Sequence, residues 1–183
     1  MEILQVGLAL IIGIHLVPMI APLKIGLQAK LGANGYRGMF SLISLIGLGL
    51  IISGMIVAPH IQVFEPQPWA KSAAFVLVPI ALILVASAHM KGLLRAVFRH
   101  PMMIGILIWA VVHLAVNGDL ASIWLFGTFA LYALVSLIFG FLRAEPPEFE
   151  IKARHDFMAI AGGLVISLIF VFLHPVLFGV QIL

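Results

Sequence analysis

Cysteine is absent from the 183 residues. That excludes disulfides, thiolate metal centres, iron–sulfur clusters and covalent haem attachment through C-x-x-C-H, so any haem would be held non-covalently. Charge is scarce too: Asp, Glu, Lys and Arg make up 9% of the chain, against about a quarter in water-soluble domains. The acidic residues Glu2, Glu65, Asp119, Glu145, Glu148, Glu150 and Asp156 all lie outside the long apolar runs or at their edges. A proton or cation carrier usually places a carboxylate near mid-membrane, and none is available for that work. There is no G-x-x-x-x-G-K-[ST], H-E-x-x-H or G-x-S-x-G motif, so phosphate-loop, zincin and serine-hydrolase chemistry lack their minimal residues. No internal repeat is visible, which leaves an inverted-repeat transporter without support.

What is abundant is apolar surface. Hydrophobic residues make up 63% of the chain and the mean hydropathy is +1.24, more than a soluble core can hide. Six apolar runs stand out, at about 3–23, 39–58, 72–90, 101–117, 120–142 and 157–182, and spans of about twenty such residues cross a bilayer as helices. The expected fold is therefore all-α: a single transmembrane domain over 1–183, a bundle of about six spans in contact with lipid. The runs are continuous rather than alternating, which excludes a barrel. The fourth run is the shortest and opens on Pro101, a residue suited to the first turn of a helix.

Basic residues fix the topology. Lys24, Lys30 and Arg37 lie between spans one and two, Lys91, Arg95 and Arg99 between three and four, and Arg143, Lys152 and Arg154 between five and six. Only Lys71 falls on the other side, so the positive-inside rule puts both termini on the outer, periplasmic face. The basic pI is thus a topology signal and implies no nucleic-acid partner. The first run has no basic n-region and no small-x-small cleavage site, and reads as a retained span. The outer loop 59–71, PHIQVFEPQPWAK, is expected to be irregular, with Trp69 at headgroup depth. The polar stretch 143–156 reads as a solvated connector.

Histidine is the remaining candidate for chemistry. His60, His89, His100 and His155 fall at span ends or in loops, while His15, His113 and His174 fall within apolar runs. A neutral imidazole there must satisfy one donor and one acceptor, and an interhelical hydrogen bond is the plain alternative to a functional role. Counted from opposite faces, His15 and His113 each lie about twelve residues into their spans, roughly 18 Å at the helical rise. Two imidazoles at similar depth can ligate one haem iron from opposite sides. His174 is nearer the outer surface, before Pro175, and reads as a kink or interface residue. Gly105, Trp109, His113 and Asn117 recur every four residues along one slowly drifting helix face. Small-residue packing accounts for Gly105 and Asn117, but less well for a Trp-x-x-x-His inside a span. His100 is about 140° around the helix from His113, so the two cannot share a ligand on one rigid face. With Arg99, it suits a lipid phosphate or a neighbouring helix end.

The segment R-H-P-x-x-x-G-x-x-x-W-x-x-x-H-L-x-x-N-G-D at 99–119 resembles the signature of the NnrU family of bacterial membrane proteins. G-I-H-L-V-P at 13–18 and L-G-A-N-G-Y-R-G-M-F-S-L-I-S-L at 31–45, with Tyr36 and Arg37, are similar to two further family segments. Arg99, His100, Pro101, Gly118 and Asp119 belong to the motif as framing residues. The resemblance implies a multi-pass protein of the bacterial inner membrane, associated with nitrite and nitric oxide reduction in denitrifying bacteria. The same domain occurs in 15-cis-zeta-carotene isomerase, an integral membrane enzyme that uses haem b. Its histidine ligands correspond to His15 and His113, and an apolar substrate or a membrane redox partner is implied. The Asn-Gly-Asp turn sets this chain closer to the bacterial branch than to the isomerase.

Three functions compete on the sequence. The first is a haem b protein with redox or isomerase chemistry, whose cofactor residues would be His15, His113, Trp109, Gly105 and Asn117, with the two histidines on the metal. The second is a cofactor-free accessory protein for assembly or expression of nitrogen-oxide reductases. The third is a membrane methyltransferase, which needs a cofactor pocket that 99–101 and 143–156 supply only weakly.

Overall fold

The computed structural model describes residues 1–143 and 148–179. The described residues form seven helices: α1 (Glu2–Leu16), α2 (Ala21–Val57), α3 (Pro68–Ser87), α4 (Leu93–Phe98), α5 (Pro101–Val116), α6 (Leu120–Arg143) and α7 (Ala153–Phe178). Among these residues there is no strand, only an isolated bridge pairing Gln62 with Asp119. Five of the helices, with α1 extended by the 3₁₀ turn at Val17–Met19, are long and apolar enough to cross a membrane. The sixth, α5, is apolar but has 16 residues. This is a multi-pass membrane protein of the all-α class.

Prolines mark the helix ends. Pro22, Pro68 and Pro101 sit in the first turns of α2, α3 and α5, where the missing N–H has no helical partner to lose. Ala58 is extended at φ −63°, ψ 137° and closes α2, because Pro59 disfavours the helical region for the residue before it. Glycine takes over at the far end of α7, where Gly179 adopts φ 70° and its N–H donates to the Pro175 carbonyl.

Several expected boundaries move. The connection over 24–37 is helical, so α2 begins at Ala21 rather than near 39. The segment carries Lys24, Lys30 and Arg37, and charge ends a hydropathy run without ending a helix. Its one break is Gly32, at φ 72°, ψ 165°, a conformation that glycine reaches without a Cβ clash. The first run is interrupted by the 3₁₀ turn Val17–Met19, which contains Pro18. Pro68 starts α3 early, so Trp69 lies in its first turn rather than in an irregular loop, and 61% of its surface is exposed. The last helix starts at Ala153; the expected end of its span, 180–182, lies outside the described residues, as does 144–147 of the polar connector.

The chain forms two compact units. One comprises Met1–Val63 with Asp119–Thr128; the other comprises Phe64–Gly118 with the chain from Phe129 onward. In the first, α1 packs along α2 through a glycine seam. A Cβ placed on Gly7 would lie 2.7 Å from the Ile51 nitrogen, one on Gly47 3.1 Å from the Ile11 nitrogen, and one on Gly54 2.5 Å from Leu4 Cα. In the second unit α3 packs against both α5 and α7. Gly105 brings α5 onto the Ala81 carbonyl, and Gly163 brings α7 onto the Ile83 backbone. Small residues line these contacts because lipid gives large apolar side chains no reason to turn inward, leaving close backbone packing as the adhesive. Ala81, Ala110, Ala133 and Ala159 are buried, while Ile56, Phe157, Phe172 and Val176 face outward.

Candidate functional site

His15 lies in the last turn of α1. Its Nδ1 is 2.7 Å from the carbonyl of Ile11, one turn back. A carbonyl can only accept, so Nδ1 carries the proton, and in the neutral ring Nε2 is the nitrogen with the lone pair. The Phe40 ring meets the imidazole edge to face at 4.9 Å, and Tyr36 lies a further 6.3 Å along α2. The two family-like segments of the first unit thus meet at this histidine: 13–18 supplies the imidazole and 31–45 its aromatic wall. Tyr36 is buried, and its hydroxyl has no hydrogen-bond partner among the described residues. Such groups in native proteins call for a partner such as water, an ion or a ligand. Arg37, its neighbour, is exposed.

His113 repeats the arrangement in the second unit. It lies in the last turn of α5, with Nδ1 2.8 Å from the carbonyl of Trp109. The Trp109 indole lies 5.1 Å from the imidazole, tilted by 47°, and the Phe129 ring of α6 stands edge-on to the indole at 5.8 Å. His174 on α7 is near enough to act on His113 electrostatically, a proximity that sequence position alone did not signal. Asn117 donates from Nδ2 to the carbonyl of His113 at 2.9 Å, and its backbone N–H donates to the same oxygen. It therefore closes the helix end directly above the histidine. Gly105 faces α3 rather than the His113 ring, which the packing reading accounts for.

The framing residues are built into the fold. Asp119 Oδ1 accepts from the Ser122 N–H at 2.9 Å and caps α6. In the first unit the Leu120 N–H donates to the Ile61 carbonyl, and in the second the Phe64 N–H donates to the Gly118 carbonyl. The Asn-Gly-Asp turn is thus the place where the loop after α2 is tied down. At the other end of α5, Pro101 is buried and opens the helix. The His100 ring stands edge-on to Phe141 at 5.2 Å and lies where a Cβ on Gly140 would be, about its Nε2. That nitrogen is buried without a partner among the described residues, so His100 serves as a wedge against α6. Arg99 is exposed and adopts φ 56°, an uncommon conformation for a residue with a side chain.

Each imidazole, taken in its own unit, has the chemistry of a haem-iron ligand. Among the described residues no three His, Cys, Asp or Glu side chains converge on one point, but a porphyrin brings four nitrogens of its own and asks the protein for one or two. Imidazole Nε2 atoms, oriented by an Nδ1–H bond to a carbonyl, are the ligands such an iron takes. Aromatic rings beside each histidine would wall a flat macrocycle.

These features define a multi-pass α-helical membrane protein with two histidines, each in the last turn of an apolar helix, bonded to the carbonyl one turn back. The chain belongs to the NnrU protein family, whose model matches residues 3–182. No curated protein and no solved structure matches it.

Proposed function

We propose that this chain is a haem b protein of the bacterial cytoplasmic membrane, with His15 and His113 as the residues that ligate the iron. The observation that carries the reading is the shared preparation of the two imidazoles. Each donates from Nδ1 to the carbonyl one turn back, at 2.7 and 2.8 Å, the bond by which metal-ligating imidazoles are commonly oriented. The Tyr36 hydroxyl, buried without a partner near His15, supports a polar ligand group on that side. Haem iron held by two imidazoles supplies one-electron transfer, whereas isomerisation of a bound substrate would need one imidazole to leave. The redox role accords with the association of the NnrU family with nitrite and nitric oxide reduction, and implies a membrane redox partner.

The test is spectroscopic. Protein purified in mild detergent from haem-replete cells is expected to show a Soret band that sharpens and shifts on reduction with dithionite. His15→Ala and His113→Ala should each change that spectrum, and His60→Ala, at an exposed site, should not. Protein that carries no haem from such cells, and takes up none when titrated with it, would overturn the reading and leave the accessory role.

A further inference from the structure

The short helix α4 plays no part in the proposed haem site. It has six residues, about 9 Å of rise, so it cannot cross a membrane. A helix of this length has no stability of its own in water, and the second unit holds it from outside. Asp156, in the first turn of α7, accepts from the Leu93 N–H at 2.7 Å and the Leu94 N–H at 2.9 Å, one carboxylate oxygen to each. The Lys91 N–H donates to His155 Nδ1, and the Lys152 N–H donates to the Lys91 carbonyl. Gly92 admits this clamp, because a Cβ there would strike the Asp156 carboxylate.

The clamp presents a particular chemistry. Lys91 and Arg99 flank α4 at its two ends and are exposed, and Arg95 lies between them with its guanidinium 5.3 Å above the Phe149 ring. No acidic residue occurs from Ala88 to His100. Asp156 is committed to the amides of α4, while Glu148 and Glu150 lie on either side of Phe149 in the chain. Beside the cations, Leu93 and Val97 are one turn apart and expose 54% and 63% of their surface. Because α4 connects α3 to α5, both apolar helices of the membrane, the surface next to it is the bilayer edge. A row of cations with adjacent exposed aliphatic side chains matches anionic headgroups lying over an acyl boundary. An acidic protein would satisfy the cations and leave Leu93 and Val97 in water.

We infer that α4 is an interfacial docking element for anionic phospholipid, in which Lys91, Arg95 and Arg99 pair with headgroup phosphates and Leu93 and Val97 enter the acyl boundary. The lack of native cysteine allows a direct test. Val97→Cys, in nanodiscs of phosphatidylcholine alone or with phosphatidylglycerol, is challenged with a neutral PEG-maleimide. Labelling should be several-fold slower in the anionic discs, and 0.5 M salt should restore the faster rate. Replacing Lys91, Arg95 and Arg99 by Gln on the same background should remove the difference, at on the order of fivefold in lipid affinity per charge. Lys71→Cys, on the face with few cations, should label at the same rate in both discs. Equal rates at position 97 in the two discs would overturn the inference, as would slowing that survives salt or the Gln substitutions, or an equal slowing at position 71. Protection by inorganic phosphate in pure phosphatidylcholine would also overturn it, by assigning the site to free phosphate.

Discussion

Gly54→Ala tests whether backbone contact, rather than side-chain burial, holds α1 to α2. The added Cβ would lie 2.5 Å from Leu4 Cα and 2.8 Å from Leu4 Cβ, where carbons at rest are about 3.5–4.0 Å apart. The obstacle is backbone, and Leu4 is fully buried at 0% exposure, so no side-chain rotation relieves the clash. Helix α1 must retreat by roughly 1 Å, which also opens the contacts of Gly7 with Ile51 and of Gly47 with Ile11. Overpacking of this kind costs about 1–3 kcal/mol, and a backbone obstacle argues for the upper half of that range. Gly49→Ala is the matched control: it lies on the same helix and meets nothing within 4 Å. Any gain in helix propensity, at most about 1 kcal/mol, is common to the two substitutions and cancels. Unfolding by SDS in mixed micelles should find Gly54→Ala less stable than Gly49→Ala by about 2 kcal/mol, roughly a 30-fold change in the unfolding equilibrium. Equal stabilities, within about 0.5 kcal/mol, would refute the seam as the source of the α1–α2 association.

Two further substitutions probe single polar groups. In haem-depleted protein, Tyr36→Phe should raise the stability read by SDS titration by about 1–2 kcal/mol, because a buried hydroxyl without a partner costs about that much; a loss of stability would mean that the hydroxyl is paired in the resting protein. Asp156→Ala should cost about 1–2 kcal/mol, since it strips the acceptor from two amides of a capped helix, and hydrogen exchange should accelerate at Leu93 and Leu94 ahead of the amides of α3. Uniform acceleration across α3 and α4 would show that the carboxylate supports the whole unit rather than the short helix.

The parts legible in the sequence are those set by local chemistry. Long apolar runs announced helices, Pro101 announced the start of α5, and the spacing of Gly105 allowed the packing role it has against Ala81. The bond from each imidazole to the carbonyl one turn back is equally local, since residues four apart share a helix face, although the sequence reading treated each histidine's partner as lying on another helix. His15 lies in the last turn of α1 rather than in mid-span, because a 3₁₀ turn containing Pro18 interrupts the first run; α5 keeps the expected bounds, with His113 about twelve residues from its start. The polar segment between about 24 and 38 reads as a connection because hydropathy reports the solvent a segment prefers, not its backbone. Asp156 on α4 joins residues more than sixty positions apart, and Phe40 on His15 joins two helices. No periodicity encodes either contact. The glycine seam left a trace, with Gly47 and Gly54 seven residues apart on α2, but its partner Gly7 lies on another helix.

The central proposal is that this chain binds haem b, with His15 and His113 as its ligands. Its most direct measurement is electron paramagnetic resonance of the oxidised protein, loaded with haem and quantified as pyridine haemochrome. The account predicts close to one haem per chain with a low-spin ferric signal of two-imidazole type, converted to high spin when either His15 or His113 is replaced by Ala. A high-spin signal in the unsubstituted protein, or a low-spin signal untouched by both substitutions, would contradict it.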